Sequence, residues 1–248
     1  MLRALVALGV TLLLVMLRLE AERFGAAEYD EMRAGHLPSL RRRLSWYVLG
    51  VVLVGALVVV HPAPNDVLHL RSGDRLPAVL LGLLYGGFGA AQAAAFARLR
   101  YRRLRLPDDS LYPGAVLNAL ATALVDEATF RGALLGFLLL AGVDGFLAVI
   151  LQSLVYALAT RVAAPGRDPY MLGLTLGIGL VGGWVTLLTG GIGAALLGHA
   201  VTRFAVFAAT GHPGQVALAG RETEDVDRGR RPPDGWRVVP EERGSRPR

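Results

Sequence analysis

Apolar runs of bilayer-crossing length constrain this chain more than any other feature. A hydrocarbon core about 30 Å thick needs about 20 helical residues to cross it. Within that core every backbone N–H and C=O must find a partner in the protein. Such runs recur as far as residue 210, and 53% of the 248 residues are hydrophobic, with a mean hydropathy of +0.46. The expected fold class is all-α: a polytopic membrane helix bundle of about seven transmembrane helices, with the lipid bilayer as its first partner.

The runs can be placed one by one. The first covers 4–17 between Arg3 and Arg18. It has the length of a signal-peptide core, but Arg18, Glu20, Glu22 and Arg23 stand where a small-residue cleavage site belongs, which favours an uncleaved helix. Residues 20–44 are charged and close with Arg41, Arg42 and Arg43. A second span is expected over 45–60, with Trp46 and Tyr47 as interfacial aromatics. Residues 61–75, with Pro62, Pro64, Asn65 and Asp66, read as a turn region. A third span covers 76–96 and runs into a basic stretch, 98–107. Residues 111–142 are apolar for longer than one crossing requires, so a helix with a bend or a short second piece is expected there. Further spans are expected over 145–164, 170–188 and 192–210, the last two as an antiparallel hairpin about Thr189-Gly190-Gly191. Paired glycines at four-residue spacing (82/86, 132/136, 173/177, 179/183) predict close helix contacts within the chain.

Charge sets the topology. All 26 basic side chains are Arg, giving a formal net charge of +6. They concentrate in 18–44, in 98–107 and after Gly211, and positive charge favours the cytoplasmic side. Seven spans put all three segments inside and the N-terminus outside, whereas eight would export the tail. This use of the charge leaves no nucleic-acid role for it. With no Cys, disulfides, thiolate nucleophiles and thiolate metal sites are excluded. The expected organisation is 1–109, N-terminal helices and basic loops; 110–212, the functional core; and 213–248, a polar, disordered cytoplasmic tail. The expected location is integral in a bacterial plasma membrane.

Three polar clusters interrupt the apolar helices of the second half: Asp126-Glu127-Ala128-Thr129-Phe130-Arg131-Gly132, Tyr156 to Thr160, and His199 to Arg203. Ionisable groups at membrane depth are costly and mark candidate sites. Glu127 and Arg131 lie four residues apart with the acid first, the favourable order for an ion pair on one helix face. Asp126 sits about 100° round the helix from Glu127. A carboxylate there can act as a general base on water, or the cluster can be an ion-pair network holding helices in register. His199 and Arg203 form a second pair one turn apart. His199 can orient water, bind metal or stabilise an oxyanion, and Arg203 calls for a counter-charge, with Asp126 or Glu127 as candidates.

On these residues the chain resembles the CPBP family of CAAX proteases and bacteriocin-processing enzymes, intramembrane endopeptidases that include the type II CAAX prenyl endopeptidases. The family's Glu-Glu-x-x-x-Arg motif is matched by Asp126-Glu127-x-x-x-Arg131. Its Phe-x-x-x-His motif is met by Tyr156-Ala157-Leu158-Ala159-Thr160, and its His-x-x-x-Asn or Asp motif by His199-Ala200-Val201-Thr202-Arg203. The resemblance covers about 110–215. It implies a peptide-bond hydrolase acting on a membrane-associated peptide or protein substrate. Asp126, Glu127 and His199 would be catalytic, with Asp126, at the motif's leading position, as the base, and Arg131, Tyr156, Thr160 and Arg203 supporting. It also raises a divalent metal such as zinc, against which Thr160, a poor metal ligand, and the cation Arg203 both argue. Asp126 is one methylene shorter than the family's Glu, and misplacement by about 1 Å can cost on the order of a hundredfold in rate. An inactive member that binds a membrane partner is therefore the alternative, ahead of a small transporter.

Overall fold

A computed structural model of the chain describes residues 2–24, 26, 40–101, 112–161 and 169–210. The expectations for most of 25–39, for most of the basic stretch 98–107 and for the tail 213–248 lie outside these residues. The described residues all belong to one compact unit.

The described residues are helical and joined by short turns, with no strand among them. Helix α1 is Leu2–Leu19 and a 3-10 turn follows at Ala21–Phe24; α2 is Leu40–Val60 and α3 is the short Pro64–Val67. Next come α4, Arg75–Tyr101, and α5, Tyr112–Asp126; a π-helical segment, Glu127–Leu134, then leads directly into α6, Leu135–Leu140. The last three are α7, Gly145–Arg161, α8, Pro169–Thr189, and α9, Gly193–Thr210. Among the described residues, three helices are long and apolar enough to cross a membrane (Leu2–Leu19, Arg42–Val60 and Arg75–Arg98), and shorter apolar helices cover 145–160, 175–189 and 193–209. Large apolar side chains project outward from them, among them Val59, Leu84, Phe88 and Leu188, each at least two-thirds exposed. Such a surface suits lipid, and the chain is an integral membrane protein.

In lipid, apolar area gives helices no reason to associate, so close packing and polar contacts must do so. The most extensive contact is α4 on α9. A methyl group on Gly82, Gly86 or Gly89 would collide with Leu197, Val201 or Thr202 of α9, so the glycines set the closeness of that pair. Gly179 and Gly183 of α8 do the same against Ser153, Val149 and Gln152 of α7. The other two expected pairs differ. Gly173 and Gly177 face open space, and Gly132 and Gly136 meet the loop segment at the end of α3, through Leu70 and the carbonyls of Leu68 and Val67.

That loop is more than a turn. Residues 61–74 fold over one end of the bundle, with Leu68 fully buried. The Asp74 amide donates to Thr189 O at 2.8 Å, the Ile192 amide to His69 O at 3.1 Å, and Arg71 Nε to Gly190 O at 2.7 Å. His69 holds φ 50°, and Gly73 and Gly190 hold φ 78° and 71°, a region cheap for Gly and unusual for His. Trp46 and Tyr47 also depart from expectation. They are 0% and 6% exposed, turned inward against α1 and α5 rather than out to lipid.

Candidate functional site

The first polar cluster lies in the π-helical segment. Extended π-helix is rare and often marks functional positions. Its wide turn breaks the α register between Asp126, the last residue of α5, and Glu127. At the junction the Thr129 hydroxyl donates to Val125 O at 2.6 Å, giving that carbonyl a side-chain partner. Every residue from Val125 to Ala133 is buried, so the charges here are held away from the lipid around the bundle.

Glu127 is the centre of the site. Its Oε1 accepts from His199 Nδ1 at 2.6 Å and lies 3.1 Å from Arg131 Nη1, all three side chains being at most 1% exposed. Its Oε2 is buried and has no hydrogen-bond partner among the described residues. Tyr156 closes the group from α7. Its hydroxyl is 3.5 Å from His199 Nε2, and the Arg131 guanidinium lies 4.1 Å from its ring centroid, a cation–π contact worth about 2 kcal/mol when desolvated. Gly182 of α8 makes room for Arg131, since a Cβ there would lie 2.9 Å from its Nε. With a proton on Nδ1 donated to Glu127, the neutral ring presents Nε2 to the tyrosine as an acceptor.

Asp126 faces another way. Its Oδ1 lies 3.4 Å from Arg18 Nε of α1, with the two side chains 0% and 2% exposed. Arg18 sits 5.8 Å from the Trp46 ring. Beside it, Tyr47 donates to Asn118 Oδ1 at 2.5 Å, and the Thr122 hydroxyl donates to the same oxygen at 3.2 Å.

The structure thus gathers Glu127, Arg131, Tyr156 and His199 into one contact network and sets Asp126 at its edge. Thr160 is nearly buried, but its hydroxyl bonds within its own helix, to Tyr156 O at 3.0 Å and Ala157 O at 3.1 Å. Arg203 is 8% exposed, one turn beyond His199, and its charge acts on the Tyr47 hydroxyl together with those of Arg43 and Arg18. Arg18 is the residue that sequence reasoning missed. It reads as the basic flank of the first span, yet it is buried, and its signal was only its place in the last turn of α1.

A divalent metal does not fit these donors. Among the described residues no three His, Asp or Glu side chains converge as a ligand set. Glu127 Oε1 already faces a guanidinium and an imidazole, and Asp126 faces a second guanidinium. The two buried guanidiniums beside these carboxylates repel a further cation.

The family model described as Type II CAAX prenyl endopeptidase Rce1-like matches residues 108–205. That range runs from before α5 to within α9 and contains the three polar clusters. No curated protein and no solved structure matches the chain.

Proposed function

We propose that the chain is a membrane-embedded endopeptidase, a reading supported by the match of residues 108–205 to the type II CAAX prenyl endopeptidase Rce1-like family model. It cleaves a peptide bond near the membrane in a membrane-associated peptide or protein by carboxylate-activated water. The observation that carries this reading is the buried Glu127, with Oε1 fixed by His199 and Arg131 and Oε2 left without a partner among the described residues. A water accepted by Oε2 gives its proton to Glu127 as its oxygen bonds the scissile carbonyl carbon. The same proton then passes to the departing amine as the C–N bond breaks. General-base help of this kind contributes about 10²–10⁴ in rate. Arg131 offsets the buried charge, and Tyr156 holds the second nitrogen of His199. Asp126, the base that the resemblance implies, is read here as a support together with Arg203 because its carboxylate faces Arg18, and no step passes through a metal.

One observation favours the alternative of an inactive membrane-binding protein. Thr160 stands where the family motif has His, and its hydroxyl is spent on its own helix, so that position brings nothing to a water molecule. The two readings part in one experiment. The purified chain, in lipid, is offered a quenched, membrane-delivered peptide library beside Asp126→Ala, Glu127→Ala and His199→Ala, with and without chelator. The expected result is cleavage by wild type, lost by at least about a hundredfold in a folded Glu127→Ala variant and indifferent to chelator. A silent wild type with cleavage gained by Thr160→His plus Arg203→Asn would instead mark a binding scaffold.

A further inference from the structure

Asp126 and Glu127 are adjacent in sequence, yet different parts of the chain hold them. The partners of Glu127, Arg131 and His199, lie in the segment that matches the family. Asp126 is held by Arg18, from a helix outside it.

Several contacts fix Arg18 in place. It lies in the last turn of α1, where the helix runs out of donors for its own carbonyls. The Trp46 indole N–H supplies one to the preceding carbonyl, Leu17 O, at 2.9 Å. Trp46 is fully buried in the core shared by α1 and α2, so the end of α1 is pinned at this point. Val15 and Leu19 of the same helix pack against Phe130, Tyr156 and Ala159. Helix α1 therefore touches both the π-helical segment and α7, the two walls that carry Glu127 and Tyr156. An Arg at the end of an apolar helix ordinarily extends its long stem to the interface. Here the side chain turns inward, and only 2% of it is exposed.

We infer that Arg18 is a positioning residue of the site, contributed by the N-terminal helix. It holds the Asp126 carboxylate toward α1, while Glu127 bonds His199 and Arg131. The adjacent acids thereby face different partners. Without Arg18, two carboxylates on consecutive residues would compete for Arg131 and His199 in a low-dielectric interior. The inference rests on the endopeptidase reading only for its kinetic consequence.

The test uses the full chain in lipid with Arg18→Gln, Arg18→Lys, Asp126→Asn and the double variant Arg18→Gln/Asp126→Asn. Thermal unfolding reads the pair, and the ¹⁵N resonances of His199, assigned by their loss in His199→Gln, read the site. The expected result is that each neutralising change lowers the midpoint and the double variant loses less than their sum. The His199 signals should move in Arg18→Gln, return in the double variant and keep their wild-type positions in Arg18→Lys. On any peptide the wild type cleaves, Arg18→Gln should lower kcat by about a hundredfold at unchanged KM, and Arg18→Lys should restore most of it. Should Arg18→Gln fail to fold, a double variant that folds supports the pairing, and one that folds no better overturns it. Additive midpoints with unmoved His199 signals also overturn it. A wild type that cleaves nothing would sink the endopeptidase reading while leaving the unfolding and His199 measurements to decide Arg18.

Discussion

A methyl group on Gly182 would reach the Arg131 guanidinium at 2.9 Å, while one on Gly177 of the same helix would meet nothing within 4 Å. The first glycine is a seat for a buried cation, and the second is only a small residue in a membrane helix. Over-packing a tight site costs about 1–3 kcal/mol, and here the displaced group is the partner of Glu127. Gly182→Ala should therefore lower the thermal midpoint and any cleavage together. Gly177→Ala should leave activity alone and gain up to about 1 kcal/mol from helix propensity. Thermal unfolding of both variants beside a peptide-cleavage assay checks the contrast, and equal behaviour would remove Gly182 from the site. Four-residue spacing treats the two positions alike, so the sequence cannot separate them. It does expose the Glu127–Arg131 pair, because both ends lie on one helix. Arg18 was hidden, since an Arg beside an apolar run has the same local pattern whether it meets water or a carboxylate from another helix.

At the scale of elements, the length of 111–142 announced a discontinuity but not its form. An apolar stretch too long for one crossing must break somewhere. A wide turn that keeps the helix continuous from Tyr112 to Leu140 leaves no mark in composition. The loop 61–74 was legible only as a turn, because its prolines and polar residues carry no sign of the glycines that receive it, Gly132 and Gly136. His69 gives this loop a pH response. Burial pushes its imidazole below the usual value of 6.5, the hydrogen bond to the Gly190 backbone opposes this, and nearby Arg71 lowers it further. A base with a depressed folded pKa binds protons more readily when unfolded, so stability is full above about 6.5 and falls as pH drops below it. Thermal midpoints of the full chain should thus decline from pH 7 towards 5, and His69→Asn should flatten that slope. Asn tolerates the positive φ of this position better than most residues, so the variant tests the charge with little backbone strain. A slope unchanged in His69→Asn would assign the pH response to other groups.

For the whole molecule, Arg clustering and the hairpin 170–210 argue for an odd number of crossings, and seven is our proposal. Its support is a set of contacts at one end of the bundle. The loop after α2 bonds to the turn between α8 and α9, through the Asp74 amide to Thr189 O and the Ile192 amide to His69 O. It also reaches α6, where His61 and Phe137 stack edge to face at 5.9 Å. If α5, the π-helical segment and α6 make one crossing, then the loop 61–74, the turn 141–144 and the turn 190–192 all fall on one side. Two crossings there would put 141–144 opposite 61–74 and force the α8–α9 turn away from the loop it bonds. The absence of native Cys makes the count directly measurable. Ser72 and Asp144 are both exposed, so single Ser72→Cys and Asp144→Cys variants should react with an impermeant maleimide added outside intact cells. Ser245→Cys, in the Arg-rich tail, should react only after the membrane is opened. Labelling of Ser72→Cys and Asp144→Cys from opposite sides would require a second crossing within 111–142 and would reverse the tail. Labelling of both from the inside would invert the bundle and separate its basic segments from the cytoplasmic face that positive charge prefers.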